Sequence, residues 1–364
     1  MKFRCERDVL VDAIATAGRA VTTRGGALPV LSGVLLELHG DRLRLTGSDL
    51  DLTITVETTV SGQSDGVAVL PAKLASDVAR AFGPGAVHVE VVDEQVTLSA
   101  HRSEFSLRLM HADEYPRFEA PTADAVTIST DRLAAALRQV VRAASSDDSR
   151  PILTGVLMTA EADGLRLVAT DSYRLAVCDL PGESLLGEGQ HVLVPSRALN
   201  ELAKVLAGAE SVTVRLGSRD ASFSVGDVQL TTRLIEGEFP NYKSLIPSNH
   251  PNKLTVEREG LLESLRRVRL LAQEATPVRV NMKGDSVELI AITQDVGQAH
   301  EEMDAQYVGQ ELMVAFNPQY LLDGVEVSPG EHVTLETVDA LKPALIRSVD
   351  SPDFVYLLMP VRVS

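Results

Sequence analysis

Hydrophobic and polar residues alternate along several stretches of the chain, as they do in strands that bury one face. The stretch 50–56 has this pattern in its apolar residues Leu50, Leu52, Ile54 and Val56. Other stretches repeat apolar residues at helical steps, as at Leu133 and Leu137, which predicts amphipathic helices. The pattern therefore predicts sheets backed by helices.

One segment of this pattern occurs three times. Residues 28–49 align without a gap to residues 150–171, and ten positions are identical: 29, 31, 33, 34, 35, 41, 43, 44, 45 and 49 of the first segment. A fainter third copy begins at Pro277 and keeps the turn Gly284-Asp285. Because self-similarity at a long period indicates tandem structural units, we predict three versions of one domain.

Each copy is predicted to fold as strand, helix, three strands, helix and three strands. The first helices are predicted over 8–18, 131–144 and 259–272, and the second helices begin at Pro71, Pro195 and Pro318. A proline is expected in the first helical turn, because its missing N–H needs no partner there. Polar stretches at 119–125 and 246–252 separate the copies. We therefore predict domains over residues 1–122, 123–250 and 251–364.

The composition excludes several classes of protein. Aromatic residues make up only 4% of the 364 residues and there is no tryptophan, so aliphatic side chains must build the cores. Cys5 and Cys178 have no metal-ligand spacing and follow no signal-peptide pattern, which indicates a reducing cytoplasm. No run of about eighteen apolar residues occurs, so no membrane-spanning helix is predicted.

The formal charge of −17 argues against a nucleic-acid partner unless the basic residues are segregated. Counted over the six helix regions 4–19, 72–82, 131–144, 197–207, 259–272 and 318–325, basic residues exceed acidic residues by 4, so the rest of the chain carries −21. Two interpretations stay open. The helices have ordinary solvated basic faces, or helices from three like domains line one surface that holds a phosphate backbone without reading bases.

Five segments carry a resemblance to a known family: MKF at the amino terminus, LPVLSGVLL, VATDSYRLAV, EFPNYKSLIP and the terminal YLLMPVR. Together with the threefold repeat, they resemble the bacterial DNA polymerase III beta subunit family, the sliding clamps. The resemblance implies an α+β clamp fold of three two-helix, antiparallel-sheet domains, with two chains joined head to tail in a ring. Such a ring encircles duplex DNA and tethers the replicative polymerase, so the chain is expected to be a processivity factor and not an enzyme.

The resemblance also implies partners and a location. The expected partners are double-stranded DNA without sequence preference, a second copy in a homodimer, the DNA polymerase III alpha subunit, the clamp loader and other proteins with a clamp-binding motif. No membrane, cofactor or metal is expected. The expected location is the cytoplasm, at the nucleoid during replication.

Site residues are carried over from the family by motif. The candidates for a peptide-binding groove beside the carboxy-terminal tail are Arg150, Leu153, Thr170, Ser172, Tyr173, Arg174, Leu175, Pro240, Ser244, Leu245, Leu357 and Met359. The DNA-binding candidates are Arg19, Arg24, Lys73, Arg80, Arg138, Arg142, Arg197 and Lys204. The dimer-interface candidates, on edge strands of the first and third domains and beside them, are Lys73, Arg102, Phe105, Leu107, Leu270, Leu271, Glu301 and Glu302. The apolar candidates also fit ordinary core positions.

Two other functions stay open. Asp171, Ser172 and Tyr173 place a carboxylate beside two hydroxyls, which suits acid–base or nucleophilic catalysis. Against an enzyme, no histidine completes a triad in a comparable segment, and Asp49 occupies the equivalent place of the first copy without the hydroxyl pair. The repeated aspartate is therefore interpreted as a turn device. The second alternative is a repeat scaffold that binds protein and encloses no DNA.

Overall fold

The three sequence repeats fold into one order of elements, apart from two short additional strands. The computed structural model describes residues 1–22, 28–118, 120–272 and 276–362. The first repeat contains β1 (Lys2–Glu6), α1 (Arg7–Ala17), β2 (Gly33–His39), β3 (Arg42–Ser48), β4 (Leu52–Thr59), the short β5 (Ser61–Ser64), β6 (Gly66–Pro71), α2 (Ala72–Ala81), β7 (Ala86–Val92), β8 (Gln95–Ala100) and β9 (Ser103–Arg108). The second contains β10 (Ala125–Ser129), α3 (Thr130–Val140), β11 (Gly155–Glu161), β12 (Gly164–Thr170), β13 (Arg174–Pro181), β14 (His191–Pro195), α4 (Ser196–Val205), β15 (Ser211–Leu216), β16 (Asp220–Val225) and β17 (Val228–Arg233). The third contains β18 (Asn252–Glu257), α5 (Arg258–Val268), β19 (Val278–Lys283), β20 (Ser286–Thr293), β21 (Gly297–Asp304), the short β22 (Gln306–Val308), β23 (Leu312–Phe316), α6 (Pro318–Val327), β24 (His332–Thr337), β25 (Ala344–Ser348) and β26 (Phe354–Leu358).

The helices match the predicted positions. Short 3-10 turns extend α1, α3 and α5 at their carboxyl ends, and for α3 and α5 they account for the longer predicted spans. None of the helices in the described ranges combines the length and the apolar composition needed to cross a membrane.

A strand that the sequence pattern did not reveal precedes each second helix. These strands, β6, β14 and β23, bury consecutive residues, so they lack the alternation on which the prediction depended. Pro71 and Pro195 end β6 and β14, and do not lie in the first helical turn as predicted. Both strands are sheet edges, where a missing N–H removes no ladder bond. Pro318 does begin α6, and the side chain of Asn317 caps that helix.

Two local predictions about turns and strands need correction. Leu50 was expected on the buried face of a strand, but β4 begins at Leu52, and Leu50 lies in the preceding turn with φ of 81°. Glycines in the turns of the repeated hairpin are expected at positive φ; Gly40 and Gly164 adopt it, at 57° and 156°, whereas Gly284 is outside this region. Alternation alone therefore extends a strand too far when the turn before it contains a leucine.

The chain packs as two compact units, of which the first comprises residues 1–131 and 200–234. It holds a five-stranded sheet in the order β5-β1-β7-β8-β9 and an eight-stranded sheet in the order β10-β15-β16-β17-β4-β3-β2-β6. The larger sheet joins two repeats, because β17 pairs antiparallel with β4. Gly47 in β3 allows α1 to approach the sheet, since a Cβ there would lie 2.0 Å from the carbonyl oxygen of Ala17.

The second compact unit comprises residues 132–199 and 235–364. It holds a nine-stranded sheet in the order β14-β11-β12-β13-β26-β25-β24-β18-β22 and a four-stranded sheet in the order β21-β20-β19-β23. Here β13 of the second repeat pairs antiparallel with β26 of the third. The repeats thus share their larger sheets, and the domain boundaries near 123 and 251 stay predictions.

Candidate functional site

Asp171 builds the turn between β12 and β13. Its Oδ1 accepts hydrogen bonds from the backbone N–H groups of Tyr173 and Arg174, at 2.9 and 3.0 Å. Asp49 accepts equivalent bonds in the first repeat, from the N–H groups of residues 51–52 at 3.1 and 2.8 Å. These bonds confirm the interpretation of the repeated aspartate as a turn device.

The same turns hold a non-glycine residue at positive φ, with 82° at Ser172 and 81° at Leu50. This conformation costs roughly 1 kcal/mol for a residue with a Cβ, which the aspartate bonds offset. The other oxygen of Asp171, Oδ2, accepts from Nε of Arg174 at 3.0 Å. Both carboxylate oxygens are therefore engaged, which argues against Asp171 as the general base of an enzyme.

A buried apolar cluster, here called the groove floor, lies in the nine-stranded sheet and the loop after β17. Its members are Leu157, Val168, Leu175, Val177, Leu193, Tyr242, Leu345 and Leu357. Leu175 lies opposite Leu357 because β13 pairs with β26. These two leucines are 1% and 3% exposed, so they form the buried base of the floor, and their contact with a peptide stays a prediction.

The rim of this floor is more exposed. Tyr173, Leu245 and Met359 are 60%, 51% and 39% exposed. The N–H of Met359 donates to the carbonyl of Tyr173 at 2.9 Å, so the carboxy-terminal segment runs beside the Asp171 turn. Five partly buried residues pack on the floor: Ile152, Ile235, Phe239, Ile246 and Val355. Leu153 is buried and lies outside the groove floor.

The polar candidates fall into two groups. Nη1 of Arg150 donates to Oγ of Ser172 at 3.2 Å, which brings two of them together. Thr170 is buried, and its Oγ1 donates to the carbonyl of Arg174 at 2.7 Å, so it closes the turn from within. Pro240 and Ser244 are exposed on the loop after β17. The structure thus brings Arg150 and Ser172 to the surface and makes Thr170 a structural residue.

The sequence reasoning missed the aromatic part of this site. The rings of Phe239 and Tyr242 meet edge to face with centroids 6.4 Å apart. They line a cleft of about 370 Å³ together with Leu157, Thr159 and Pro240. The EFPNY segment contains both rings, but a loop has no hydrophobic period that would have marked them as partners.

Arg174 was a groove candidate, but its side chain is only 11% exposed and turns inward. It pairs with Asp171 and with Asp323 of α6, and its guanidinium lies 4.3 Å from the ring centroid of Tyr320. In the same helix, Gly324 packs against the ring of Tyr356, since a Cβ at this position would lie 2.5 Å from that ring. Arg174 therefore ties β13 to α6, and its contact with a peptide stays a prediction.

The network continues from Asp323 to neighbouring helices. Arg142 lies 3.8 Å from Asp323 and also binds Glu326, which Arg266 contacts at 3.2 Å. The hydrogen bond from Arg142, with Arg266 beside it, holds the pKa of Glu326 below its usual value. Three arginines and three carboxylates thus join the second and third repeats, over sequence distances that no local pattern could reveal.

The dimer candidates lie on or near two edge strands. β9 pairs with β8 and β21 pairs with β20, and in the described part of the chain neither has a strand on its other side. On β9, Phe105 is 42% exposed and its ring lies 5.6 Å from that of Phe82. Leu107 is 7% exposed and faces its own core, which corrects its assignment as an interface side chain. An unpaired edge is a ready template for another strand.

Apolar residues accompany the second edge. Leu270 is 84% exposed, and two residues that sequence reasoning missed, Ile292 and Val296, are 50% and 53% exposed. Leu271 is half-buried, and its carbonyl accepts a hydrogen bond from Thr293. The charged candidates Lys73, Arg102 and Glu302 are exposed, whereas Glu301 is engaged by Arg267 at 2.8 Å.

The DNA candidates differ in whether their charge is already paired. Arg19, Lys73, Arg80 and Arg138 are exposed and have no carboxylate within ion-pair distance in the described part of the chain. Arg142 binds Glu326, and Lys204 binds Glu201 at 2.8 Å, so these two charges are partly committed. Arg197 is exposed, and Arg24 lies outside the described residues.

Comparisons with known proteins identify the family. Family models for the N-terminal, central and C-terminal domains of the DNA polymerase III beta subunit match residues 1–119, 127–241 and 243–362. The beta sliding clamp of Streptomyces coelicolor is 33% identical over the full length of both chains. The chain belongs to the DNA polymerase III beta subunit family.

Solved clamps have the same fold. The clamp of Bartonella birtlesii, crystallised with griselimycin, superposes with a TM-score of 0.93 at 28% identity, and that of Bacillus subtilis with 0.91 at 30% identity, each over all of both chains. These relatives confirm the α+β clamp fold and the resemblance stated above. As a sliding clamp, the chain is a processivity factor of DNA replication that encircles duplex DNA and tethers the polymerase.

Proposed function

We propose that the groove floor and its rim dock the linear motifs of partner proteins, including the DNA polymerase III alpha subunit and the clamp loader. The observation that carries this proposal is the contrast between a fully buried floor and three large exposed side chains, Tyr173, Leu245 and Met359. Exposed apolar groups beside a cleft gain most when a ligand removes them from water. The flexible thioether of Met359 suits a groove that accepts several partners.

A peptide-binding assay tests this proposal. The probe is a fluorescein-labelled peptide with the clamp-binding segment of the alpha subunit from the same organism. Leu245→Ala and Met359→Ala should each weaken its binding by about tenfold, because each removes an apolar anchor. Leu341→Ala is the matched control, since Leu341 is also exposed, at 67%, but lies outside the rim. If all variants bound the peptide with equal affinity, the proposed groove would be contradicted.

We further propose that two chains close a ring by pairing β9 of one with β21 of the other, with Phe105 meeting Leu270. Two exposed edges on one chain, one in the first repeat and one in the third, support a head-to-tail arrangement that leaves neither edge open. In this proposal the chain catalyses no reaction of its own and works at the nucleoid during replication.

Loading onto plasmid DNA separates this proposal from a scaffold that encloses no DNA. A ring should remain on closed circular plasmid through a high-salt wash and leave after the plasmid is cut once. A scaffold would show no such dependence on DNA topology.

A further inference from the structure

The eight-stranded sheet has its own version of the groove, lined by the first repeat and by residues 224 and 226–229 of the second. A cavity of about 540 Å³ lies on the eight-stranded sheet within the first compact unit. Its wall includes Pro116 and Phe118 from the segment EYPRF, which aligns with EFPNY of the second repeat. Leu35 on its floor occupies the place of Leu157 in the alignment of the two repeats. The cavity therefore stands where the second repeat has its cleft.

A hydrogen bond fixes the wall of this cavity. The hydroxyl of Tyr115 donates to the carbonyl of Thr46 at 3.0 Å, and Tyr115 packs in a buried cluster with Val30, Leu31 and Val69. The equivalent residue of the second repeat, Phe239, has no hydroxyl. The wall of the first-repeat cavity is thus anchored to the sheet by a bond that the second repeat lacks.

The chemistry of the two sites differs at one position of the floor. Where the second repeat has Thr159, the first has Glu37, half-buried in the cavity lining. Glu37 lies opposite Arg44 on the neighbouring strand, but Arg44 instead donates to Glu57, at 2.6 and 3.0 Å. Arg42 also binds Glu57, so two arginines share that carboxylate and one positive charge is left over.

Glu37 is therefore left with no cation within ion-pair distance in the described part of the chain. Asp227 at the mouth of the cavity adds a second negative charge, and Arg117 one positive charge. With the second arginine on Glu57 counted, the charges at the cavity balance, and the unpaired carboxylate of Glu37 lies beside the apolar surface of Leu35 and Phe118.

We propose that this cavity is a second peptide-docking site, specific for a segment of a partner protein that places a basic side chain next to apolar ones. The basic side chain would pair with Glu37, and its apolar neighbours would cover Leu35 and Phe118. This inference rests on the proposed groove of the second repeat, to which the cavity is analogous. The two sites would bind different segments, because Glu37 stands where the second repeat has Thr159.

Methyl NMR on the full chain tests the proposal. The probe is a hexapeptide with one arginine between a leucine and a phenylalanine. The comparison peptide is the same hexapeptide with glutamate in place of the arginine. The arginine peptide should shift the methyl resonances of Leu35 and Val228, which both line the cavity. Glu37→Gln should weaken this binding by about three- to fivefold, as expected for a partly exposed ion pair.

The controls separate this site from the groove. Glu94→Gln removes the same charge from an exposed turn outside the cavity and should leave the affinity unchanged. Met359→Ala alters the rim of the second-repeat groove and should leave the Leu35 shifts intact. Equal binding of the glutamate peptide, no effect of Glu37→Gln, or shifts confined to Leu157 would each overturn the proposal. Binding of the alpha-subunit peptide by the Leu245→Ala variant tests the second-repeat groove independently.

Discussion

Arg174 and Asp323 form an ion pair whose side chains are only 11% and 10% exposed, although 149 positions separate them in the chain. Asp171 binds the other side of the same guanidinium. A charge this far from water is stable only with its partners in place, because desolvation of a lone ion costs several kcal/mol. The pair therefore holds the groove turn of the second repeat against a helix of the third.

Breaking this pair should destabilise the fold. Asp323→Asn is expected to lower the free energy of unfolding by about 3 kcal/mol, because it leaves Arg174 buried with one carboxylate. Urea unfolding followed by circular dichroism measures the change. Arg138→Gln is the control, since that arginine is exposed and unpaired in the described part of the chain. A loss below about 1 kcal/mol for Asp323→Asn would mean that the pair is solvated.

Glu326 should make stability depend on acid pH. Because Arg142 and Arg266 hold its pKa below 4.5 in the folded chain, the unfolded state binds the proton more readily. The stabilisation is present above the unfolded pKa and is lost as pH falls through the folded one. Unfolding midpoints at pH 7 and pH 4 should therefore differ less for Glu326→Gln than for the unaltered chain. An unchanged difference would show that the carboxylate titrates normally.

The edge of β9 should control dimer formation. Phe105→Asp places a charge at a partly exposed position of the open edge and is expected to weaken self-association by about a hundredfold, measured by sedimentation equilibrium. Val92→Asp introduces the same charge at another exposed site, at 58% exposure, and should have no effect. Leu107→Ala should instead lower the free energy of unfolding by about 3 kcal/mol, because Leu107 faces its own core. Dimers that persist in Phe105→Asp would place the interface elsewhere.

Unpaired and paired helix cations should contribute differently to DNA binding. Arg80→Gln and Arg138→Gln are each expected to reduce the slope of log K against log salt by about one, if each cation neutralises one phosphate. Lys204→Gln should change it less, because Glu201 already binds that ammonium at 2.8 Å. Fluorescence titration of a labelled duplex at several salt concentrations gives the slopes. The same slope in every variant would contradict a helix-lined DNA path.

The sequence predicted those features that repeat or alternate. Asp49 and Asp171 were identified as a turn device because the same residue stands at the same place in two copies, and the hydrogen bonds agree. The strands β6, β14 and β23 were not predicted, because strands buried on both faces lack the alternation of apolar and polar residues. Leu175 and Leu357 were assigned to a pocket on resemblance, although their burial follows from the pairing of β13 with β26, which only the fold reveals.

The shared sheets change what a cut in the chain would do. Because β17 pairs with β4, a protease that cleaves near residue 123 leaves the two fragments bound through a continuous ladder of hydrogen bonds. The same holds near residue 251, where β26 remains paired with β13. A nicked clamp should therefore survive as a non-covalent complex, and its repeats should not be separable as independently folding pieces.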